Sequence, residues 1–281
     1  MMSTEKPQDQ YIKVGNINTR FWAVGDEGTA VILLHPGLGA VENWELNINA
    51  LAQNHRIYAI DMLGFGHTGL PEAPYSLTKA AQHVNDFLEA QRIERASLVG
   101  NCGGGGVSLQ FAIQYPEKLE KLVLAASWGL GKEIPLMMRL GALPIIGELL
   151  MRPSRKLAAN MLKTSVYDPA VVTEEMVEDF YQRMSLPGAQ KAYTSVFRAI
   201  ENFRGPRAEI LRFIGDNLAN ITVPTLIIWG KQDRMRPVAH AYVAKEGIPN
   251  AELHIFDPCG HLPQIERPDE FNALVLEFLS R

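Results

Sequence analysis

The chain has few of the features that mark secreted, membrane-spanning or exported proteins. Its 281 residues include only two cysteines, which cannot build a multi-disulfide framework and suit a reducing compartment. No stretch approaches the ~20 apolar residues needed to span a bilayer. Residues 1–10 are polar and mixed in charge, unlike an export signal. We therefore expect a cytoplasmic location and no membrane partner.

Basic clusters and cofactor motifs are also missing. The formal net charge is −4, and no run of Lys and Arg marks a nucleic-acid surface. No Cys/His cluster has the spacing of a metal site. The glycine run at 103–106 lacks the lysine of a phosphate-binding loop. We expect no metal, no cofactor and no nucleic-acid partner, which leaves a small-molecule substrate and a homodimer as the partners to consider.

The most informative motif is the run from Gly100 to Gly104, which has the pattern G-x-C-x-G with Cys102 at its centre. An apolar strand-like segment precedes it, and a helix start rich in small residues follows. A turn this tight requires glycine on both sides and exposes the central side chain. The N-terminus of the following helix favours a thiolate there. Taken alone, the motif is more typical of a buried structural cysteine.

Two further residues change that interpretation. Asp233 follows an apolar strand-like run at 223–230, and His261 follows a second one at 251–256. Nucleophile, acid and histidine thus occur in that order, with the acid and the histidine in loops after strands. The combination favours a catalytic triad of Cys102, Asp233 and His261.

These motifs resemble those of the α/β-hydrolase family, and the resemblance covers nearly the whole chain. Residues 35–39 (HPGLG) resemble the oxyanion segment after the third strand, 61–69 the D-x-x-G-x-G-x-S turn, and 260–268 the closing segment. Within the superfamily the chain is most similar to meta-cleavage product hydrolases and related carboxylesterases. The resemblance implies an α/β fold with a mostly parallel central sheet, helices on both faces and an inserted helical cap.

The chain departs from the family pattern at three positions. Cys102 replaces the usual serine, Pro36 replaces the second glycine of the oxyanion segment, and Leu262 stands where carbon–carbon hydrolases tend to carry tryptophan. Pro36 has no N–H, but the family's donor falls one residue later. The expected oxyanion donors are therefore the backbone N–H groups of Gly37 and Gly103. The candidate substrate-binding residues are Leu38, Asn43, Asn101, Trp128 and Leu262.

The pattern changes between Gly129 and about residue 220. Strand-like runs disappear, and amphipathic helical segments dominate. We predict an α/β-hydrolase core from residues 1–129 and 221–281, with residues 130–220 as a helical cap, or lid. The many methionines of this segment favour ordinary core packing; the alternative is an adaptable apolar wall over the substrate.

The predicted reaction is acyl transfer to water through a thioester on Cys102. A thiolate leaves more readily than most alkoxides, so aryl esters, enol lactones and thioesters are favoured over simple alkyl esters. The alternatives are a carbon–carbon hydrolase of the meta-cleavage type, a serine esterase engineered to carry cysteine, and a non-catalytic ligand-binding protein on this fold. Cys259 is interpreted as a packing residue, with a thiol that resolves oxidised Cys102 as the alternative.

Overall fold

The structure is a computed structural model that describes residues 6–69 and 74–281. Within these ranges the strands are β1 Gln10–Val14, β2 Ile17–Val24, β3 Thr29–Leu34, β4 His55–Ile60, β5 Ala96–Asn101, β6 Leu119–Ala125, β7 Glu201–Asn202, β8 Gly205–Pro206, β9 Thr225–Gly230 and β10 Ala251–Phe256. The α-helices are α1 Ile48–Leu51, α2 Leu77–Ala90, α3 Gly103–Gln114, α4 Leu136–Gly141, α5 Ile146–Leu150, α6 Arg155–Ser165, α7 Glu174–Met184, α8 Ala189–Ile200, α9 Ala208–Asn217, α10 Ala239–Gly247, α11 Pro263–Glu266 and α12 Pro268–Ser280.

Eight of the strands form one sheet in the order β1-β2-β4-β3-β5-β6-β9-β10. β2 is antiparallel to both β1 and β4, and every other neighbouring pair is parallel. The central strands are nearly continuous apolar runs because a parallel sheet is covered on both faces. This architecture confirms the predicted fold class.

Side chains of β3 alternate between two cores on opposite faces of the sheet. Ile32 and Leu34 pack in the core that includes residues of α2 and α3. Val31 and Leu33 pack in the core that includes residues of α1 and α12. The sheet is therefore buried on both sides, and the loops at the carboxyl ends of its strands form one edge that can hold a site.

Residues 130–220 lie between β6 and β9 and contain the helices α4 to α9. They also contain the antiparallel pair β7–β8, in which Glu201 lies opposite Pro206. This pair corrects the expectation that the segment contains no strands. Gly205 has a φ of +112°, which favours glycine and allows the chain to reverse there. Two-residue strands are too short to give a recognisable sequence pattern.

Among the residues that the structure describes, no helix combines the length and the apolar composition that a membrane crossing requires.

Candidate active site

Cys102 occupies the turn between β5 and α3, with backbone angles that most residues avoid. Its φ is +49° and its ψ −110°, a conformation that costs a non-glycine residue on the order of 1–3 kcal/mol. Its N–H donates to the carbonyl of Ala125 at 2.9 Å, and its carbonyl accepts from the N–H groups of Gly106 and Trp128 at 3.0 and 2.9 Å. These bonds hold the strained turn, which leaves the Cys102 residue partly exposed.

The glycines beside Cys102 are required by the close approach of other backbone segments. A Cβ atom on Gly104 would lie 2.1 Å from the carbonyl oxygen of Leu34. One on Gly100 would lie 2.5 Å from the carbonyl oxygen of Gly104. Backbone atoms cannot yield by the ångström or more that a side chain would need. The pattern G-x-C-x-G therefore marks the place where α3 packs directly on β3 and β5.

Asp233 and His261 follow the neighbouring strands β9 and β10, so the sheet brings them together. The Nδ1 of His261 and the Oδ2 of Asp233 are 2.7 Å apart. The other oxygen, Oδ1, accepts from the backbone N–H groups of Met235 and Arg236 at 2.7 and 2.9 Å. Both carboxylate oxygens are thus occupied. With Nδ1 directed at Asp233, the Nε2 of His261 is the ring atom that can exchange a proton with Cys102.

The Cys102 thiol and the His261 ring favour a charged pair. Burial raises the pKa of the thiol, but the positive charge of His261 and a hydrogen bond to its ring outweigh burial and hold that pKa below its ordinary value. Burial lowers the pKa of His261, but the negative charges of Asp233 and Cys102 raise it to about 10. The site therefore favours a thiolate and an imidazolium, and the two groups titrate as a pair.

His35 fixes the loop after β3 that carries one expected oxyanion donor. The N–H of Met62 donates to the Nε2 of His35 at 2.9 Å, so the ring proton lies on Nδ1. That Nδ1 donates to the carbonyl of Pro36 at 2.7 Å, and the N–H of Gly39 donates to the same carbonyl at 2.9 Å. Burial lowers the pKa of His35 to about 4, which keeps the ring neutral in this tautomer near pH 7.

The fixed carbonyl of Pro36 determines where the N–H of Gly37 points. The C=O and N–H of a trans peptide point in opposite directions, so the N–H of Gly37 points away from His35. Gly37 and Gly103 lie side by side, because a Cβ atom on Gly103 would be only 3.0 Å from the nitrogen of Gly37. In the part of the chain that the structure describes, neither N–H has a protein acceptor. Two such donors beside Cys102 are what an oxyanion hole requires.

The two asparagines predicted to bind substrate bond to protein groups. Asn101 is fully buried, and its Nδ2 donates to the carbonyls of Ala125 and His261 at 2.9 and 3.2 Å. Its Oδ1 accepts from the Nε2 of Gln264 at 3.2 Å. These bonds join Asn101 to the His261 loop, and its contact with substrate stays a prediction. The Oδ1 of Asn43 accepts a backbone N–H within its own turn, and its contact with substrate stays a prediction.

The apolar residues predicted to line the pocket all adjoin the site. Leu38 follows Gly37 with a φ of +67° and is half-buried. Leu262 follows His261 and is buried in a small apolar cluster with residues of the insertion. Trp128 is buried, and its backbone N–H donates to the carbonyl of Cys102. Their contact with a substrate stays a prediction.

A buried ion pair that the sequence did not predict lies next to Asp233. The Nη2 of Arg236 donates to the Oε1 of Glu201 at 2.8 Å, and the two side chains are 3% and 1% exposed. Arg236 lies three residues after Asp233 in the same loop, which is the signal that could have identified it. Glu201 lies in the insertion, and no sequence pattern connects it to that loop.

A cavity of about 490 Å³ opens between the N-terminal segment and α7. Its charged lining includes Arg20, Glu42 and Arg183 and no residue of the triad. The apolar pocket expected over Cys102 therefore stays a prediction. Within residues 6–69 and 74–281, no group of three or more His, Cys, Asp or Glu side chains is arranged to hold a metal ion.

Known proteins share both the sequence and the fold of this chain. The 2-hydroxy-6-oxo-6-phenylhexa-2,4-dienoate hydrolase of Comamonas testosteroni is 34% identical over 262 residues, covering 90% of this chain and 88% of that protein. The 2-hydroxymuconate semialdehyde hydrolase of Pseudomonas sp. (strain CF600) is 34% identical over 260 residues, covering 90% and 87%. Both relatives are hydrolases by name.

A solved structure agrees with these relatives. The meta-cleavage product hydrolase from Pseudomonas fluorescens IP01, a serine-to-alanine mutant complexed with acetates, superposes with a TM-score of 0.83 at 32% identity. The match covers 96% of this chain and 97% of that one. Residues 29–268 also match the family profile described as alpha/beta hydrolase fold. The chain therefore belongs to the α/β-hydrolase family and is a hydrolase.

Proposed function

We propose that the chain hydrolyses a small carbonyl substrate through a covalent acyl-enzyme on Cys102. The observation that carries the proposal is a thiol at the strained turn, next to a histidine ring held by Asp233 at 2.7 Å. A protein that only binds ligands has no need of such a turn or of two unpaired N–H groups beside it.

In the first half-reaction, the thiolate of Cys102 attacks the carbonyl carbon. The resulting oxyanion accepts hydrogen bonds from the N–H groups of Gly37 and Gly103; one such donor is typically worth about 2.7–4 kcal/mol. The intermediate then collapses, and the bond to the leaving group breaks as that group takes the proton from His261. The acyl group remains as a thioester on Cys102.

In the second half-reaction, the now neutral His261 accepts a proton from water at Nε2 while the water oxygen attacks the thioester carbon. The same two N–H groups stabilise the new oxyanion. The carbon–sulfur bond breaks, and the carboxylic acid leaves. The departing thiolate of Cys102 again faces an imidazolium that Asp233 stabilises.

The sulfur nucleophile limits the useful leaving groups. A tetrahedral intermediate built from an alkyl ester expels sulfur more readily than alkoxide, so it mostly reverts to substrate. Phenolates, enolates and substrate thiolates leave the intermediate as readily as the thiolate of Cys102 does. The proposed substrates are therefore aryl esters, enol lactones or thioesters with a small apolar acyl group.

The insertion, residues 130–220, is proposed to serve as the lid over this site. Three contacts support the proposal. The carbonyl of Ser165 accepts the backbone N–H of His261 at 2.8 Å, and Glu201 reaches the triad loop through Arg236. The ring of Tyr193 stacks on Phe65, with centroids 5.9 Å apart. A lid joined to the core by these contacts would limit the access of water to the thioester.

Cleavage of a carbon–carbon bond is the second candidate. Two relatives that are 34% identical are named as hydrolases of 2-hydroxy-6-oxo-6-phenylhexa-2,4-dienoate and of 2-hydroxymuconate semialdehyde. That reaction also begins with attack on a carbonyl carbon and also leaves an acyl group on the nucleophile. Its leaving group is a carbanion, which competes with a thiolate only if a conjugated dienol system delocalises the charge. Cysteine at position 102 therefore favours the acyl substrates.

A matched substrate panel tests the proposal. We expect kcat/KM for p-nitrophenyl butanoate and a butanoyl thioester to exceed that for ethyl butanoate by at least about 100-fold, some 2.7 kcal/mol. The Cys102→Ser variant should narrow that ratio. Equal rates on ethyl and aryl esters would contradict the leaving-group argument. If the enzyme turns over 2-hydroxymuconate semialdehyde, followed by its dienol absorbance, faster than any ester, the second candidate is favoured.

A further inference from the structure

Arg236, Glu201 and Trp128 form a buried polar cluster whose role the proposed reaction does not include. The Oε1 of Glu201 accepts from the Nη2 of Arg236 at 2.8 Å and from the indole Nε1 of Trp128 at 2.9 Å. All three residues are buried. The cluster joins the loop of Asp233, the segment after β6 and the start of β7.

The cluster adjoins the nucleophile. The backbone N–H of Trp128 donates to the carbonyl of Cys102 at 2.9 Å. The backbone N–H of Arg236 donates to the Oδ1 of Asp233, also at 2.9 Å. The charge of Arg236 is among the causes that hold the pKa of Cys102 down, although burial of the thiol acts in the opposite direction. The cluster is therefore bonded both to the turn that carries Cys102 and to the loop that carries Asp233.

Three polar atoms of the ion pair are buried and have no partner among the residues that the structure describes. They are the Nε and Nη1 of Arg236 and the Oε2 of Glu201. A buried ion pair that serves only to join two segments is stable when its remaining donors and acceptors are also bonded. Leaving them unpaired costs free energy. The cost is recovered if a ligand supplies the missing partners.

The charges of Arg236 and Glu201 limit which chemical group of a ligand can bond to these atoms. The guanidinium is always protonated, and Glu201 already balances its charge. A carboxylate would add a second, uncompensated negative charge beside Glu201 in a buried place. A hydroxyl group brings no charge, accepts from Arg236 and donates to Glu201.

We propose that Arg236 and Glu201 form a polar subsite that receives a hydroxyl group of the substrate. The inference rests on the proposed function, since it takes Cys102 as the point of attachment. Arg236 and Glu201 are thus specificity-determining residues, and Trp128 orients the carboxylate of Glu201.

Matched substrates measure the preference directly. The acyl pairs are the p-nitrophenyl esters of butanoate and 3-hydroxybutanoate, and of hexanoate and 6-hydroxyhexanoate. The leaving-group pair is the butanoyl thioesters of ethanethiol and 2-mercaptoethanol. The monoester of adipate supplies a carboxylate. We expect the wild type to favour at least one hydroxyl substrate over its matched hydrocarbon by about 10-fold in kcat/KM, or ~1.4 kcal/mol.

Variants assign that preference to the pair. Arg236→Met/Glu201→Leu replaces the pair by apolar side chains of similar volume, and Arg236→Lys keeps the charge while losing two donors. Both should lower kcat/KM for the hydroxyl substrates more than for the hydrocarbon esters, and so lose the hydroxyl preference. The control is Arg198→Met/Glu148→Leu, which removes a partly exposed pair of the insertion, 3.2 Å apart, and should keep the preference.

The results of these assays distinguish a failure of the subsite proposal from a failure of the proposed reaction. Wild-type turnover without any hydroxyl preference would mean that ordered water alone satisfies the pair, and the subsite is then rejected. A preference for the adipate monoester, or one that survives in Arg236→Lys, rejects it as well. Failure of the wild type to turn over any ester contradicts the proposed function instead.

Discussion

Replacing Asp233 by asparagine tests whether this carboxylate orients the base. In the protein, Oδ1 of Asp233 accepts two backbone N–H groups, and Oδ2 bonds to the Nδ1 of His261. Asparagine has a single oxygen, and the two backbone donors will hold it at the Oδ1 position. The amide NH2 then faces His261 and can donate only to an unprotonated Nδ1. The ring proton moves to Nε2, which can no longer accept a proton from Cys102.

The size of the loss follows from the nucleophile. In a serine triad the wrong histidine tautomer lowers kcat about 10⁴-fold, whereas a cysteine retains a few per cent of thiolate at pH 7 without a base. We therefore expect Asp233→Asn to lower kcat by about 10²–10³-fold, or ~3–4 kcal/mol. Loss of the carboxylate also lets burial lower the pKa of His261 from about 10. The pKa of Cys102 then rises, because its cationic partner is lost.

Two assays measure these effects. Burst and steady-state turnover of p-nitrophenyl butanoate give the loss in kcat. The rate at which iodoacetamide alkylates Cys102, followed from about pH 5 to about pH 10, gives the titration of the thiolate. The matched control is Asp257→Asn, which removes the same charge from an exposed carboxylate that bonds to Lys231 and Gln232. The control should behave as the wild type in both assays.

The reasoning is refuted if Asp233→Asn keeps kcat within about threefold of wild type and leaves the alkylation profile unchanged. Equal losses in Asp233→Asn and Asp257→Asn would also refute it. They would show that net charge, and not the hydrogen bond to His261, controls the thiol.

Three further predictions concern pH, packing and oxidation. In an aryl-ester assay, kcat/KM should rise as pH passes the lowered pKa of Cys102, stay level through neutral pH and fall near pH 10 as His261 loses its proton. Gly104→Ala should cost at least ~3 kcal/mol in urea unfolding, whereas Gly215→Ala, with open space at its Cβ position on α9, should stabilise by ~0.5–1 kcal/mol. Cys259 is fully buried, with the pKa of its thiol raised by burial, so Cys259→Ser should leave the rate of peroxide inactivation and its recovery with thiol unchanged.

The fold and the placement of Cys102, Asp233 and His261 could be predicted because local patterns encode them. The glycines around Cys102 are fixed by backbone approach, since a Cβ on Gly104 would lie 2.1 Å from a carbonyl oxygen. Asp233 and His261 each follow an apolar run that forms a strand. Turn chemistry and strand order are therefore enough to bring the three residues to one edge of the sheet.

The rest of the site depends on contacts between distant segments. Arg236 and Glu201 are 35 residues apart, and only the folded insertion brings them together. The partners of Asn101, which are Ala125 in β6, His261 in a loop and Gln264 in α11, are also far from one another in the sequence. Periodicity and propensity carry no information on such pairings.

Mass spectrometry of the reaction with p-nitrophenyl butanoate, quenched during the burst phase, shows whether Cys102 carries the acyl group. We predict an intact mass raised by one butanoyl group, peptide mapping of that group to Cys102, and loss of both the adduct and the burst in Cys102→Ala. An acyl group on any other residue, or an undiminished burst in Cys102→Ala, would contradict this prediction.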